Sequence, residues 1–156
     1  MTTAKPVERS VLGLVKASYP RLLHILVPLD FSGQSRQALR YAIPFAQKFT
    51  AKIHLVHVLA PGTKAEQLDL PRRRLEASKR LEQSAVQLLP PRLRADNAVL
   101  VGKPDEEILA IAHKNSIDLI VLTTRGRSGL KRALLGSTAE SIMRGARCPV
   151  LSIRRR

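Results

Sequence analysis

Tryptophan is absent from the 156 residues, and aromatic side chains amount to three phenylalanines and two tyrosines. A core built from this chain must therefore be filled by leucine, isoleucine, valine and alanine. The stacking rings that single-stranded nucleic-acid binders use are nearly missing. One cysteine, Cys148, excludes an internal disulfide and fits a reducing compartment. Apolar runs such as Leu22 to Leu29 fall far short of the roughly 20 residues a membrane helix needs. The N-terminus lacks the uninterrupted apolar stretch of a secretory signal. These absences lead to the expectation of a cytoplasmic protein with no membrane association.

Acidic residues are scarce as well, 12 against 27 Lys and Arg, for a formal net charge of +15. Such an excess attracts polyanions and nucleotide phosphates and says nothing about fold. It is concentrated in two stretches: residues 71 to 94, and Leu119 onward, where Glu140 is the only acid.

The length is that of one domain. Residues 1–20 read as a tail broken by Pro6 and Pro20, with a short amphipathic helix expected over Val7 to Ser18. Residues 21–156 read as the domain. Its first strand is expected at Leu22 to Leu29, followed by a polar turn at Asp30, Ser32 and Gly33. A helix over Gln34 to Phe49 turns Ala38, Leu39, Ala42, Phe45, Ala46 and Phe49 inward, with a kink at Pro44. Lys52 to Leu59 alternates as a second strand; His54 and His57, three apart, point to opposite faces and cannot share a metal. Arg72 to Leu89 is a charged helix with Leu75, Leu81, Ala85, Leu88 and Leu89 inside.

A third strand, Asn97 to Val101, leads to a helix that Pro104 opens at its first position, with Asp105, Glu106 and Glu107 complementing its dipole. Asn115 closes it. Asp118 to Thr123 is a short, β-branched and aliphatic run, hence a buried strand. A basic loop follows, with Gly126, Gly129 and Gly136 among Arg125, Arg127, Lys131 and Arg132. Ser137 with Glu140 fits a capping box, so a helix should begin right after Gly136. Strand, glycine loop and helix start together make a phosphate-cradle layout, since glycines let backbone N–H groups approach an anion and the helix N-terminus adds unpaired donors. Pro149 to Ile153 completes the strands. Strands alternating with helices imply a doubly wound parallel α/β sheet.

Four stretches in order, HILVPLDFS from His24, HLVHV from His54, VGKPDEEIL from Val101, and RGRSGLKRALLGSTAESIMRGARCPVLSI from Arg125, resemble the universal stress protein family. The resemblance covers roughly Leu22 to Ile153. It implies a five-stranded Rossmann-like nucleotide-binding fold of strand order 3-2-1-4-5, with a crevice at the carboxyl ends of the first and fourth strands. Family members that bind ATP carry two glycines separated by two residues, nine further residues, then Gly followed by Ser or Thr. Gly136 and Ser137 match the end of that pattern and Gly126 its second glycine, whereas Thr123 stands in place of the first. By the same matching, Pro28, Asp30 and Val58 are implied on the adenine and ribose side, Leu122 beneath the base, and Thr138 beside Ser137 at the phosphates of an ATP carrying Mg²⁺. The resemblance also implies a homodimer through antiparallel pairing of the fifth strands.

No catalytic constellation is found, and hydrolysis of bound ATP is left open. Two functions stand side by side: a small nucleotide-responsive regulatory protein, or a non-ATP-binding member serving as a basic interaction module for nucleic acid or an acidic protein partner.

Overall fold

The computed structural model describes residues 21–93, 95–124 and 136–154. The tail with its expected helix, and Arg125, Gly126, Arg127, Gly129, Lys131 and Arg132 of the glycine loop, lie outside the described residues. Five strands, β1 His24–Pro28, β2 Lys52–Leu59, β3 Ala95–Val101, β4 Leu119–Thr123 and β5 Val150–Ile153, form one parallel sheet of order β3-β2-β1-β4-β5. Between them run α1 Gly33–Phe49, α2 Lys64–Leu68, α3 Leu70–Leu88, α4 Pro104–Lys114 and α5 Ser137–Gly145.

The two-residue period of a strand sorts the apolar residues to two faces. Ile25 and Val27 of β1, Ile53 and Leu55 of β2 and Val121 of β4 pack with Ala38, Leu39, Ala42 and Ala46 of α1 and Leu81 of α3. Leu26, Val56, Ile120 and Leu122 pack on the other side with Ile108 and Ala112 of α4 and Ala139 and Ile142 of α5. Both faces are covered, which is why β1 and β4 read as continuous apolar runs rather than alternating ones. Truncating a fully buried residue such as Ile120 to alanine would cost about 2–5 kcal/mol.

Three expectations from the sequence need correction. Phe45 and Phe49 do not face the core; they are 37% and 44% exposed. The buried arc of α1 is made by Ser35, Ala38, Leu39, Ala42 and Ala46, and the phenylalanines lie at its margin. Leu75 is exposed too, because α3 turns Ala77, Leu81 and Ser84 inward and Leu75 sits two residues, about 200°, from Ala77. The capping box fails as well: Gly136 is the N-cap of α5, Ser137 is its first residue, and Glu140 pairs with Arg144 at 2.8 Å. The Gly136 N–H donates to the carbonyl of Thr124 at 2.7 Å. That bond holds Gly136 extended against the end of β4, so the helix starts one residue earlier than a serine cap requires.

Candidate functional site

The order of the sheet reverses between β1 and β4: the chain moves from β1 to β2 on one side and returns to β4 on the other. Connections leaving the two strands diverge there and leave a crevice at the carboxyl ends. A cleft of about 530 Å³ occupies it, well inside the usual range for small-molecule sites. Pro28, Leu29 and Asp30 line it from the end of β1, Val56, His57 and Val58 from β2, and Leu122, Thr123 and Thr124 from β4. Gly136, Ser137 and Thr138 close it from the start of α5, with Ser35 of α1 and Pro104 and Ile108 of α4 completing the wall.

Asp30 lies two residues beyond β1, where its Oδ1 accepts from the Ser32 N–H at 2.9 Å. Ser32 in turn caps α1, its Oγ accepting from the Ser35 N–H at 3.1 Å. Asp30 is thereby tied to the start of α1. Across the cleft, Glu140 is the first residue of α5 whose N–H reaches an intrahelical carbonyl, that of Gly136 at 2.9 Å. The preceding N–H groups belong to the unpaired first turn of a helix and carry its positive end. A Cβ on Gly136 would stand 3.2 Å from the Thr124 carbonyl oxygen, tighter than an ordinary van der Waals contact. The site can thus offer a carboxylate on one wall, helix N–H donors and two hydroxyls on the other, and an apolar slot of Val58, Leu122 and Ile108 between.

Of the residues singled out in the sequence, Pro28, Asp30, Val58, Leu122, Thr123, Gly136, Ser137 and Thr138 share this one cleft; Gly126 lies outside the described residues. Sequence reasoning missed Ser35, Thr124, Pro104 and Ile108. Ser35 was signalled by the Ser-x-x-Ser spacing with Ser32. Pro104 and Ile108 come from the helix that follows β3, and only the strand order brings them here.

Elsewhere, burial pushes the Cys148 thiol up, which favours its neutral form and makes it a poor nucleophile. Among the described residues no group of three or more His, Cys, Asp and Glu is arranged to hold a metal ion, and no helix is long and apolar enough to cross a membrane.

The family model of universal stress proteins matches residues 22–154. The chain belongs to the universal stress protein family. Universal stress protein MJ0531 of Methanocaldococcus jannaschii is 33% identical over 141 residues, covering 84% of this chain and 81% of its own length. The solved structure of protein MJ0577, from the same organism, superposes with a TM-score of 0.76 at 27% identity, over 87% of this chain and 98% of that one. A universal stress protein from Archaeoglobus fulgidus, solved in complex with dAMP, shares the fold at 19% identity and a TM-score of 0.57, over 85% and 98% of the two chains. The order β3-β2-β1-β4-β5 and the cleft at its reversal are therefore read here on a universal stress protein sheet.

Proposed function

We propose that this universal stress protein binds an adenine nucleotide, ATP with Mg²⁺, at the carboxyl ends of β1 and β4, and acts as a small nucleotide-responsive regulatory protein of the cytoplasm. The observation that carries the reading is the pairing of Asp30 with the N-terminus of α5 across an apolar slot. Pro28, Val58 and Leu122 suit a purine base, and Asp30 suits ribose hydroxyls. Gly136, Ser137 and Thr138, with Gly126 from the loop, suit phosphates. Thr123 borders the cleft from the end of β4. Mg²⁺ in such a site would be held largely by phosphate oxygens, since it rarely requires a full cage of protein ligands. The Archaeoglobus fulgidus relative that holds dAMP supports the choice of adenine.

Mass spectrometry of nucleotide released from the purified protein, followed by calorimetry with ATP and Mg²⁺, tests this. Adenine nucleotide in the first and saturable heat in the second are expected. No heat at millimolar ATP, together with salt-sensitive retention on phosphocellulose that ATP does not compete, would make the protein a basic interaction module for nucleic acid or an acidic partner instead.

The protein is also proposed to be a homodimer through β5. That strand is a sheet edge whose Val150 and Leu151 are only half-buried, and bare apolar edges invite pairing. Tyr41, Phe45 and Phe49 form one exposed stripe on α1. The right-handed β1–α1–β2 crossover turns that stripe away from α3, toward β4 and β5, so it extends the same apolar border. Light scattering should give a dimer mass, and Phe45→Glu combined with Leu151→Arg a monomer. A wild-type monomer at moderate salt overturns the assembly.

A further inference from the structure

The geometry points to a clamp, made by His57, Phe31 and Arg80, that holds the turn carrying Asp30 in the form the nucleotide site needs. The inference rests on the nucleotide reading of the cleft and names residues that position Asp30 and are not among those matched to the ATP-binding pattern. Asp30 is flanked by Leu29 and Phe31. Phe31 has φ 63, the left-handed region that a bulky side chain adopts only when its surroundings enforce it. Those surroundings are specific. His57 of β2 places Nδ1 at 2.6 Å from the Leu29 carbonyl oxygen. A carbonyl only accepts, so Nδ1 carries the proton and donates.

The same imidazole packs on the Phe31 ring, with centroids 4.3 Å apart and planes tilted by 34°. One side chain thus grips the residue before Asp30 by its backbone and the residue after it by its ring. Arg80 of α3 adds the third part, its guanidinium carbon lying 4.0 Å from the centroid of Phe31. The Leu29 N–H donates to Val56 at 2.7 Å, fixing the turn to β2 from its other side. The local bonds of the turn, Ser32 N–H to Asp30 Oδ1 and Ser35 N–H to Ser32 Oγ, flank Phe31, and the tertiary contacts of His57 and Arg80 add to them a grip on its ring. With the clamp in place, the strained conformation is the stable one, and the carboxylate between the two gripped residues has one position before any ligand arrives. Such preorganisation raises affinity by removing the ordering cost from the binding step.

Arg80→Gln, Phe31→Ala and the conservative Phe31→Tyr, each with and without Asp30→Ala, test the clamp by ATP calorimetry. Hydrogen exchange of the Ser32 amide is followed in the same proteins without nucleotide. Phe31→Ala is expected to weaken ATP about threefold to tenfold and Arg80→Gln about twofold to threefold, from loss of the ring–ring and cation–π contacts. Phe31→Tyr should bind like wild type. In the Asp30→Ala background the further loss should vanish, because the clamp acts through that carboxylate; losses that add instead mean a general structural role and overturn the proposal. Exchange at Ser32 should quicken in Phe31→Ala and Arg80→Gln and stay slow in Phe31→Tyr. Unchanged exchange overturns the clamp whether or not nucleotide binds, whereas quickened exchange in a protein that binds no nucleotide keeps the clamp and removes the function assigned to the cleft. Arg80 is exposed, so Arg80→Gln keeps the test open should Phe31→Ala fail to fold.

Discussion

The two ends of the sheet carry similar side chains and use them differently. At the amino end they bond to one another. Asp118 Oδ2 accepts from the N–H groups of Leu23 and His24 at 2.8 and 2.9 Å, joining the start of β4 to that of β1. His24 Nδ1 lies 3.1 Å from His54 Nε2, His54 Nδ1 lies 3.8 Å from Asp96, and Lys52 forms an ion pair with Asp96. These contacts stitch β1, β2 and β3 in register, since His54 and Asp96 are direct neighbours across the β2–β3 ladder. At the carboxyl end, Asp30, His57, Thr123, Ser137 and Thr138 line a cleft as well. The difference follows from topology: in a parallel α/β sheet the helix N-termini gather at the carboxyl ends, where the connections of β1 and β4 diverge. Polar groups at the amino end serve folding. Those at the carboxyl end border the cleft that we propose takes a nucleotide.

Substitutions at the two ends should therefore separate binding from stability. Gly136→Val is expected to have the largest effect, lowering ATP affinity at least tenfold, about 1.4 kcal/mol or more. Its Cβ already meets the Thr124 carbonyl oxygen at 3.2 Å, and the valine methyls reach further, into the first turn of α5. That contact lies within the protein, so stability should fall too, by about 1–3 kcal/mol. Asp118→Ala should affect stability alone, destabilising the fold by about 1–2 kcal/mol because two N–H groups lose a charged acceptor at a site only partly shielded from water, with ATP affinity unchanged within about twofold. Urea unfolding and calorimetry on both variants measure the contrast; an Asp118→Ala protein of normal stability would break it.

The carboxyl end was far more legible in the sequence than the amino end. Strand β2 shows itself by alternation and β4 as a short β-branched and aliphatic run, and the order of elements alone gives a doubly wound sheet. The order of strands does not follow from periodicity, and it entered through the resemblance to universal stress proteins. Once the order is known, Pro28, Asp30, Val58, Leu122, Gly136, Ser137 and Thr138 fall together. The amino-end contacts could not be read, because pairing His24 with His54 and His54 with Asp96 depends on register, which local sequence does not contain. Leu75 and Phe45 were misplaced for a related reason. A helical stripe read from apolar residues alone favours the large ones, whereas α1 and α3 approach the sheet closely on Ala38, Ala42, Ala46 and Ala77. The start of α5 right after Gly136 was legible, but the cap was assigned to Ser137 rather than Gly136 because the Gly136–Thr124 bond is tertiary.

The amino end should also carry a pH dependence. Burial pushes the His54 imidazole below its ordinary value of 6.5, outweighing the opposite pull of Asp96, with His24 and Lys52 adding to the lowering. The unfolded chain, with the ordinary value, then binds the proton more readily than the folded one. The stability that follows is present in full above about 6.5 and is lost progressively as the pH falls below it toward the folded value. Denaturant unfolding of wild type and His54→Gln on either side of that window checks the sign: wild type should lose stability on acidification, and His54→Gln should lose less. Equal slopes would mean that His54 is not the responsible group.

Thr123→Gly should have the smallest effect, and it sharpens the account of the cleft most. Val121 belongs to the core beneath α1, whereas Ile120 and Leu122 belong to the core beneath α4 and α5. Alternation along β4 carries Thr123 to the Val121 side. It pairs in register with Ile153 and is only half-buried where it borders the cleft. Its side chain therefore stands on the wall shared with α1, while Leu122 lies on the opposite face, where α5 begins. A threonine in that place narrows one wall and leaves the route from the base slot to the N-terminus of α5 unobstructed. Removing it gains little room, and glycine loosens the strand end that holds Thr124, whose carbonyl anchors Gly136. ATP affinity should change less than about threefold, and the fold should lose about 1 kcal/mol of stability from strand preference. Calorimetry with ATP and Mg²⁺ beside urea unfolding measures both. Affinity that tightens tenfold or more on Thr123→Gly would mean that the threonine projects into the path of the nucleotide, and would move the boundary of the site from the α1 wall to the centre of the cleft.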